Sequence, residues 1–311
     1  MKNFIKQNLL IIVIASGIAL SIAFPELGKY LKSLKISDPI VFLIFLFQGM
    51  ALNFGKLFEN PKVAWTISLG FLLAFALFPL LAFLAIKSGI FLTHEIVGLA
   101  LICCMTPTIV SGVVMSDRAG GEHTSALVLT VVLSLVGVAI IPLNLMWLLK
   151  TLVEVDSKKL FFDLMITVLT PSLVGWALRK NFSSLQKVQN FMKVGQVYLL
   201  GFLLFISLSA QSRKLFEINP VRIAIIAAVS LSIHLLVLFL GYALSKKIKN
   251  DEATSRSVGI VCSEKSLALG IPVWVGAFAA VHPLSILPPI IFHFSQIFID
   301  GIIANWWSGK K

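Results

Sequence analysis

The sequence predicts an all-α polytopic membrane protein of about ten transmembrane helices, arranged as two inverted five-helix repeats. Three observations carry that reading. Of 311 residues, 58% are hydrophobic and 13% charged, and mean hydropathy is +0.96. A soluble domain needs about twice that charge to cover its surface, so apolar side chains must face lipid. Ten apolar runs, each near the ~20 residues that cross a ~30 Å hydrocarbon layer, are divided by short connectors holding most of the Lys and Arg. The second half of the chain also echoes the first at a constant offset.

The first run, 8–24, follows Lys2 and Lys6 and contains the small residues Ala15-Ser16-Gly17. It is longer than the apolar core of a secretory signal and nine further runs follow, so it reads as a retained helix. Run two (38–55) carries Gln48 and Asn53 as isolated polar candidates, and run three (63–86) lies between Lys62 and Lys87. Run four (95–116) leads through Asp117-Arg118, Gly120-Gly121 and Glu122-His123, a solvated turn, into run five (122–148). There Thr130 and Ser134 stand one turn apart, as hydroxyls that bond between helices do. Runs six (160–178), seven (192–210) and eight (220–245) are separated by basic connectors, Arg179/Lys180/Lys187/Lys193 among them. Lys246/Lys247/Lys249 lead to run nine (254–280). Run ten (283–307) holds the candidates His293, Gln296 and Asp300, then Trp306-Trp307 and Lys310-Lys311, read as an interfacial anchor.

Net charge is +12, but no basic face or aromatic-interleaved groove suggests nucleic acid. With the N-terminus inside, Lys and Arg divide fifteen to ten between the two sides, which places both termini in the cytoplasm. The expected location is the cytoplasmic (inner) membrane of a bacterium, with membrane lipid as the surrounding partner. Cys103, Cys104 and Cys262 lie in apolar runs without metal spacing and read as small buried side chains. No hydrolase triad, nucleotide loop or metal motif is present, so neither an enzyme nor an ATP-driven pump is expected, and no cofactor.

Residues 56–59 read Lys-Leu-Phe-Glu, and the same four letters recur at 214–217, an offset of 158. At that offset Ile102 meets Ile260, Cys104 meets Cys262, Thr108 meets Ser266 and Gly112 meets Gly270. Five helices is an odd number, so the second repeat (about 155–311) inserts upside down relative to the first (about 1–150), within one domain spanning 1–311. Such a plan puts a solute site at the repeat interface near the midplane.

Runs four and nine are the least comfortable in lipid. Run four contains Thr106-Pro107-Thr108, then Ser111-Gly112; run nine contains Ser263-Glu264-Lys265-Ser266, then Gly270-Ile271-Pro272. Proline removes a donor and clashes with the preceding turn, so breaks are expected around Pro107, Gly112, Gly270 and Pro272. Freed backbone groups at membrane depth need a wet cavity, a bound ion or other partners. Lys265 lies nine residues beyond Arg256, about 13 Å into the membrane. An ionisable group there costs at least ~2.5–3.5 kcal/mol unless paired or hydrated. Lys265 is read as holding an anionic solute or taking the place of a cation. Glu264 is its counter-charge, a cation ligand or a proton carrier. The structural alternative is a buried pair with no transport role. Ser263, Ser266, Thr106 and Thr108 complete the candidate substrate or coupling set, and Ser111, Thr130, Glu264 and Ser266 the candidate cation site.

Three stretches, CMTPTIVSGVVMSDRAGGEHTSALVLT (104–130), EKSLALGIP (264–272) and FHFSQIFIDG (292–301), resemble the bile acid:sodium symporter family. The branch they fit is the divergent, SBF-like one typified by the orphan seventh member of solute carrier family ten. Lys-Ser-Leu-x-Leu-Gly-Ile-Pro is the most branch-specific motif. The resemblance implies a panel of helices 1, 2, 6 and 7, and a core of 3–5 and 8–10 in which the broken helices 4 and 9 cross. It also implies cation ligands from helices 4, 5 and 9. Ser111 and Thr130 fill two hydroxyl positions, but the Asn after the Ser is Gly112 and a fifth-helix Ser is Ala126. The Glu that bridges both cations is replaced by Ile260, and the following Gln-Asn pair reads Glu264-Lys265. Oxygen ligands are lost and an ammonium gained, which argues against two-sodium coupling, since a hard cation needs a nearly complete oxygen shell.

The function expected is secondary transport of a small organic anion by alternating access, symporter-like, with sodium or a proton as the coupling ion. A proton or cation exchanger on the same fold and a non-transporting membrane regulatory protein are the rival readings.

Overall fold

The computed structural model describes residues 9–51, 61–108, 110–150, 162, 165–182, 186–210 and 218–309. The described residues are helical with short connections and carry no strand. Both copies of the Lys-Leu-Phe-Glu echo (56–59 and 214–217), Asn53 and Lys310-Lys311 lie outside them.

Among the described residues, five helical stretches are long and apolar enough to cross a membrane: Ala64–Lys87, His123–Lys150, Pro220–Lys247, Glu252–Ala277 and Pro283–Ser308. Shorter apolar helices fall in runs two, four, six and seven. The stretch after the first run differs from expectation. Helix α1 (Leu9–Ala23) stops at Phe24, and α2 (Pro25–Ser33) leaves at 98°. Pro25 sits at the start of α2, where its missing N–H costs nothing, and Glu26 pairs with Lys29 at 2.7 Å. What reads as a connector is thus a short polar helix.

The chain forms two compact units. The first comprises Met1–Leu52, Lys159–Asn219 and Ile271–Ile286. It holds α1, α2, α3 (Ser37–Ala51), α9 (Thr170–Phe182) and α10 (Gln186–Leu208). Here α1 lies on α10 with Gly17 facing Gly201, where a Cβ on either would strike the other helix's backbone. Such small-residue contacts let membrane helices approach closely. Gln196 donates to Gln48 at 3.3 Å in the same unit.

The second unit comprises Asn53–Lys158, Pro220–Gly270 and Leu287–Lys311. Its third run is α4 (Pro61–Leu72), a π-helical turn (Leu73–Leu77) and α5 (Phe78–Lys87). Run four is α6 (Thr93–Cys104) and α7 (Val110–Arg118), and run five is α8 (His123–Lys150). Run eight is α11 (Pro220–Lys247), run nine α12 (Glu252–Ser263) and the start of α13 (Leu267–Ala277), whose residues from Ile271 on belong to the first unit, and run ten ends in α14 (Leu287–Ser308).

The π turn leaves a carbonyl without a backbone donor. The amide of Phe78 reaches back five residues to Leu73. In that register the carbonyl of Ala74 would look to residue 79 for a donor, and Pro79 has none. Asn144 of α8 donates to the neighbouring carbonyl of Phe75 at 2.9 Å.

Asp117 and His123 close the turn between α7 and α8 at 2.9 Å, and Gly120 takes the left-handed conformation there, φ 71°. The three cysteines are free and buried. Trp306 is exposed, as an interfacial anchor would be, but Trp307 is buried with Leu238, Ile260 and Ile303 and stacks on Tyr242 at 5.3 Å. One of the two tryptophans is therefore core.

Candidate functional site

Both interruptions are present, and three of the four residues expected to make them lie within helices instead. In run four the helix ends at Cys104, Met105 turns extended (φ −71°, ψ 162°), and Pro107 lies in the non-helical stretch. In run nine the helix ends at Ser263, and Glu264 turns extended (φ −75°, ψ 150°). Gly112 lies inside α7, and Gly270 and Pro272 inside α13. Those three residues are not the breaks.

Side chains and the opposite interruption hold run nine open. Gln296 of α14 accepts the Lys265 N–H at 2.8 Å and donates to the Lys265 carbonyl at 3.0 Å, a side-chain amide standing in for a paired backbone. The Ser266 N–H donates to the Thr106 carbonyl at 2.9 Å, so the two interruptions satisfy each other. Ser266 Oγ accepts from Leu269 N at 3.3 Å and caps the start of α13. Backbone groups freed at this depth have found protein partners.

Lys265 is entirely buried, and its Nζ donates to the carbonyls of Ala74 and Met105, each at 2.8 Å. It also sits 4.1 Å from the centroid of the Phe78 ring. The ammonium thus fills a pocket of two carbonyl oxygens and an aromatic face. One oxygen comes from the π turn and the other from the break in run four. No described ion pair joins Lys265 to Glu264. In the extended stretch after Ser263 successive side chains point to opposite sides, and the two go to different partners.

Glu264 is also fully buried. Its Oε2 accepts from the hydroxyls of Thr108 and, at 2.7 Å, Ser111. Thr108 Oγ1 in turn accepts from Gly112 N at 3.1 Å. Glu264 Oε1 has no hydrogen-bond partner, and neither does Asp300 Oδ2. The other oxygen of Asp300 lies 2.8 Å from His234 Nε2, and His234 Nδ1 lies 2.9 Å from the Ser263 carbonyl.

Thr108, Ser111, Glu264, Lys265 and Ser266 are therefore brought together in the second unit. Thr106 contributes its carbonyl, while its buried hydroxyl has no partner. Ser263 Oγ returns to Ile260 of its own helix, and Thr130 Oγ1 bonds Ala126 and Leu127 of its own helix. Gln296 and Asp300 enter as central members. Gln296 also donates to His293 Nδ1 at 3.0 Å. His234, Ala74, Phe78 and Asn144 were not picked out from the sequence. A histidine inside an apolar run was the signal for the first, and Pro79 the signal for the π turn.

Residues 7–309 match the SBF-like CPA transporter family. The chain belongs to this family. It is an integral membrane transporter-family protein, as the three resembling stretches imply. Among similar proteins, the "Probable sodium/metabolite cotransporter BASS4, chloroplastic" of Oryza sativa subsp. indica is 30% identical, over 98% of this chain and 76% of its own length. The Arabidopsis thaliana protein of that name is 27% identical over 98% and 73%. The "Sodium/bile acid cotransporter 7" of Danio rerio is 25% identical over 95% and 94%. These relatives of the SBF-like chain are named as cotransporters, not enzymes.

Proposed function

We propose that this SBF-like protein is a secondary transporter of a small organic anion that works by alternating access. About ten transmembrane helices form two inverted repeats, with a panel of runs one, two, six and seven and a core of the others. Both termini are cytoplasmic, which the Lys and Arg count supports. The observation that carries the reading is the joining of the two interruptions through Ser266 and Thr106, beside a buried ammonium and a buried carboxyl. Interrupted helices with ionisable side chains at membrane depth are a general mark of solute and ion sites. The names of the relatives, bile acid and metabolite cotransporters, support an organic solute.

In this proposal Lys265 takes the place of a cation. Its Nζ is entirely buried, donates to two carbonyl oxygens and faces a ring. It supplies fixed positive charge through space. Two-sodium coupling is not part of the proposal, because Ile260, Gly112 and Ala126 stand where the resembling members carry oxygen ligands.

The experiment is uptake of a panel of labelled organic anions, a bile acid included, into proteoliposomes holding wild-type protein or Lys265→Ala. Uptake by the wild type and its loss in Lys265→Ala are expected. Full uptake by folded Lys265→Ala removes the lysine from the mechanism, and no uptake of any anion by folded wild type rejects the carrier.

A further inference from the structure

Helix α2 is polar in sum and two-faced in detail. Leu27, Tyr30 and Leu34 follow at spacings of three and four, which puts them within about 60° of one another around the axis. Lys29 and Lys32 lie about 160° away, on the opposite face. Gly28 falls between the two faces and is buried against the end of α10, where a Cβ would strike the side chain of Ser209. Ser209 Oγ donates to the Phe205 carbonyl at 2.6 Å, which fixes that contact. One side of α2 thus belongs to the protein, and the apolar stripe beside it lies open. Leu27 is 52% exposed, Tyr30 61% and Leu34 53%, and Phe24 at the bend is 56% exposed.

An open apolar stripe on a membrane protein marks a contact with lipid or with another chain. The bend decides between them. Membrane helices run within about 40° of the bilayer normal. With α1 crossing the bilayer, a helix turned through 98° lies near the membrane plane. Full immersion is excluded by Glu26, Lys29 and Lys32, because charge is costly in hydrocarbon. Immersion of the stripe alone is favourable: the apolar face points to the acyl chains and the lysines to the headgroups, and tyrosine is enriched at that depth.

The charges specify the lipid. From Phe24 to Lys35, Lys29, Lys32 and Lys35 face one acid, Glu26. Lys35, at φ 55°, closes the helix in the left-handed conformation. Glu26 pairs with Lys29 at 2.7 Å, but both side chains are open to solvent, and such a pair is weak enough to yield to a phosphate. Asp38 follows in the first turn of α3, where a helix N-terminus favours negative charge. We propose that α2 is an in-plane helix whose stripe of Phe24, Leu27, Tyr30 and Leu34 sits at the boundary of headgroups and acyl chains, and whose lysines bind anionic phospholipid headgroups. This anchor stands whatever solute the carrier moves.

Nitroxide labels on the full chain, in nanodiscs of phosphatidylcholine and phosphatidylglycerol, test the placement. Cys103, Cys104 and Cys262 are buried, so a cysteine added on α2 is the one that labels. At Leu27→Cys and Leu34→Cys the label is expected to meet oxygen, which concentrates in lipid, more than a water-soluble nickel chelate. At Lys29→Cys the order is expected to reverse. A preference for nickel at Leu27→Cys and Leu34→Cys puts the stripe in water, and shielding from both reagents puts it under another protein chain. Either result overturns the proposal. The lipid class is read from the relative affinity of the protein for spin-labelled phosphatidylglycerol and phosphatidylcholine. Wild type is expected to favour phosphatidylglycerol, and Lys29→Gln/Lys32→Gln/Lys35→Gln to lose about half of that preference or more. Lys35→Gln alone, beyond the last turn of α2, should give a smaller loss in the same direction and serves if the triple variant melts below wild type. Equal affinities in wild type, or an unchanged ratio in the folded variants, overturn the anionic-lipid assignment.

Discussion

Gln296 hydrogen-bonds both backbone groups of Lys265, accepting its N–H at 2.8 Å and donating to its carbonyl at 3.0 Å. One side chain on α14 thereby holds open the interruption in run nine. It keeps the Lys265 side chain aimed at the carbonyls of Ala74 and Met105.

Gln296→Ala orphans a buried N–H and a buried carbonyl, at about 1–3 kcal/mol each. The expected result is a lower melting temperature in detergent and loss of transport. Gln296→Glu keeps an acceptor for the N–H and loses the donor, so it should fall between the two. Tryptophan fluorescence melts of the three proteins check the order.

Lys265→Met keeps the length of the side chain and removes its donors, leaving two carbonyls unpartnered at the same order of cost. It is expected to melt below wild type. If the ammonium stands in a cation's place, Lys265→Ala opens that place. Sodium chloride, compared with choline chloride, should then raise the melting temperature of Lys265→Ala and leave wild type unchanged.

Arg222 of α11 pairs with the buried Glu95 of α6 through two nitrogens and also donates to the Ile90 carbonyl at 2.9 Å. Removing one partner of a buried pair strands the other, at about 3–5 kcal/mol. Arg222→Ala should therefore destabilise more than the double variant Arg222→Ala/Glu95→Gln, in which no charge is left behind. A denaturation series of the single and double variants measures the difference.

Glu122, just ahead of α8, gives a pH prediction. Burial pushes its carboxyl up, but hydrogen bonds from Ser125 and Thr124 outweigh this and hold it below its ordinary 4.5. A carboxyl depressed on folding adds stability above its unfolded value, and that stability fades as pH falls through the folded value. Melting temperature should drop more steeply on the acid side of about pH 4.5 in wild type than in Glu122→Gln.

Composition and period were enough to read an all-helical membrane chain, because a lipid-facing helix must be apolar along its whole span. Resemblance in three short stretches was enough for the family. Pro107 announced the first interruption correctly, since a missing donor acts locally. Pro272 misled for the same reason, because a proline six residues past Ser266 is tolerated within α13 and the cause of the second break is Gln296 on another helix. The 98° turn at Pro25 and the burial of Trp307 were hidden likewise, since each depends on what the neighbouring helix offers.

What the amino-acid order determined alone is therefore the partition between lipid-facing runs and connectors, and the presence of Glu264 and Lys265 deep within one run. Hydropathy and spacing are one-dimensional properties, and both survive without knowledge of contacts. The tertiary structure decided the partners. It sent Lys265 to the carbonyls of Ala74 and Met105 and Glu264 to the hydroxyls of Thr108 and Ser111, residues far away in the chain. A hydrogen bond is made between atoms about 3 Å apart, and no local pattern states which distant atoms the packing will bring that close.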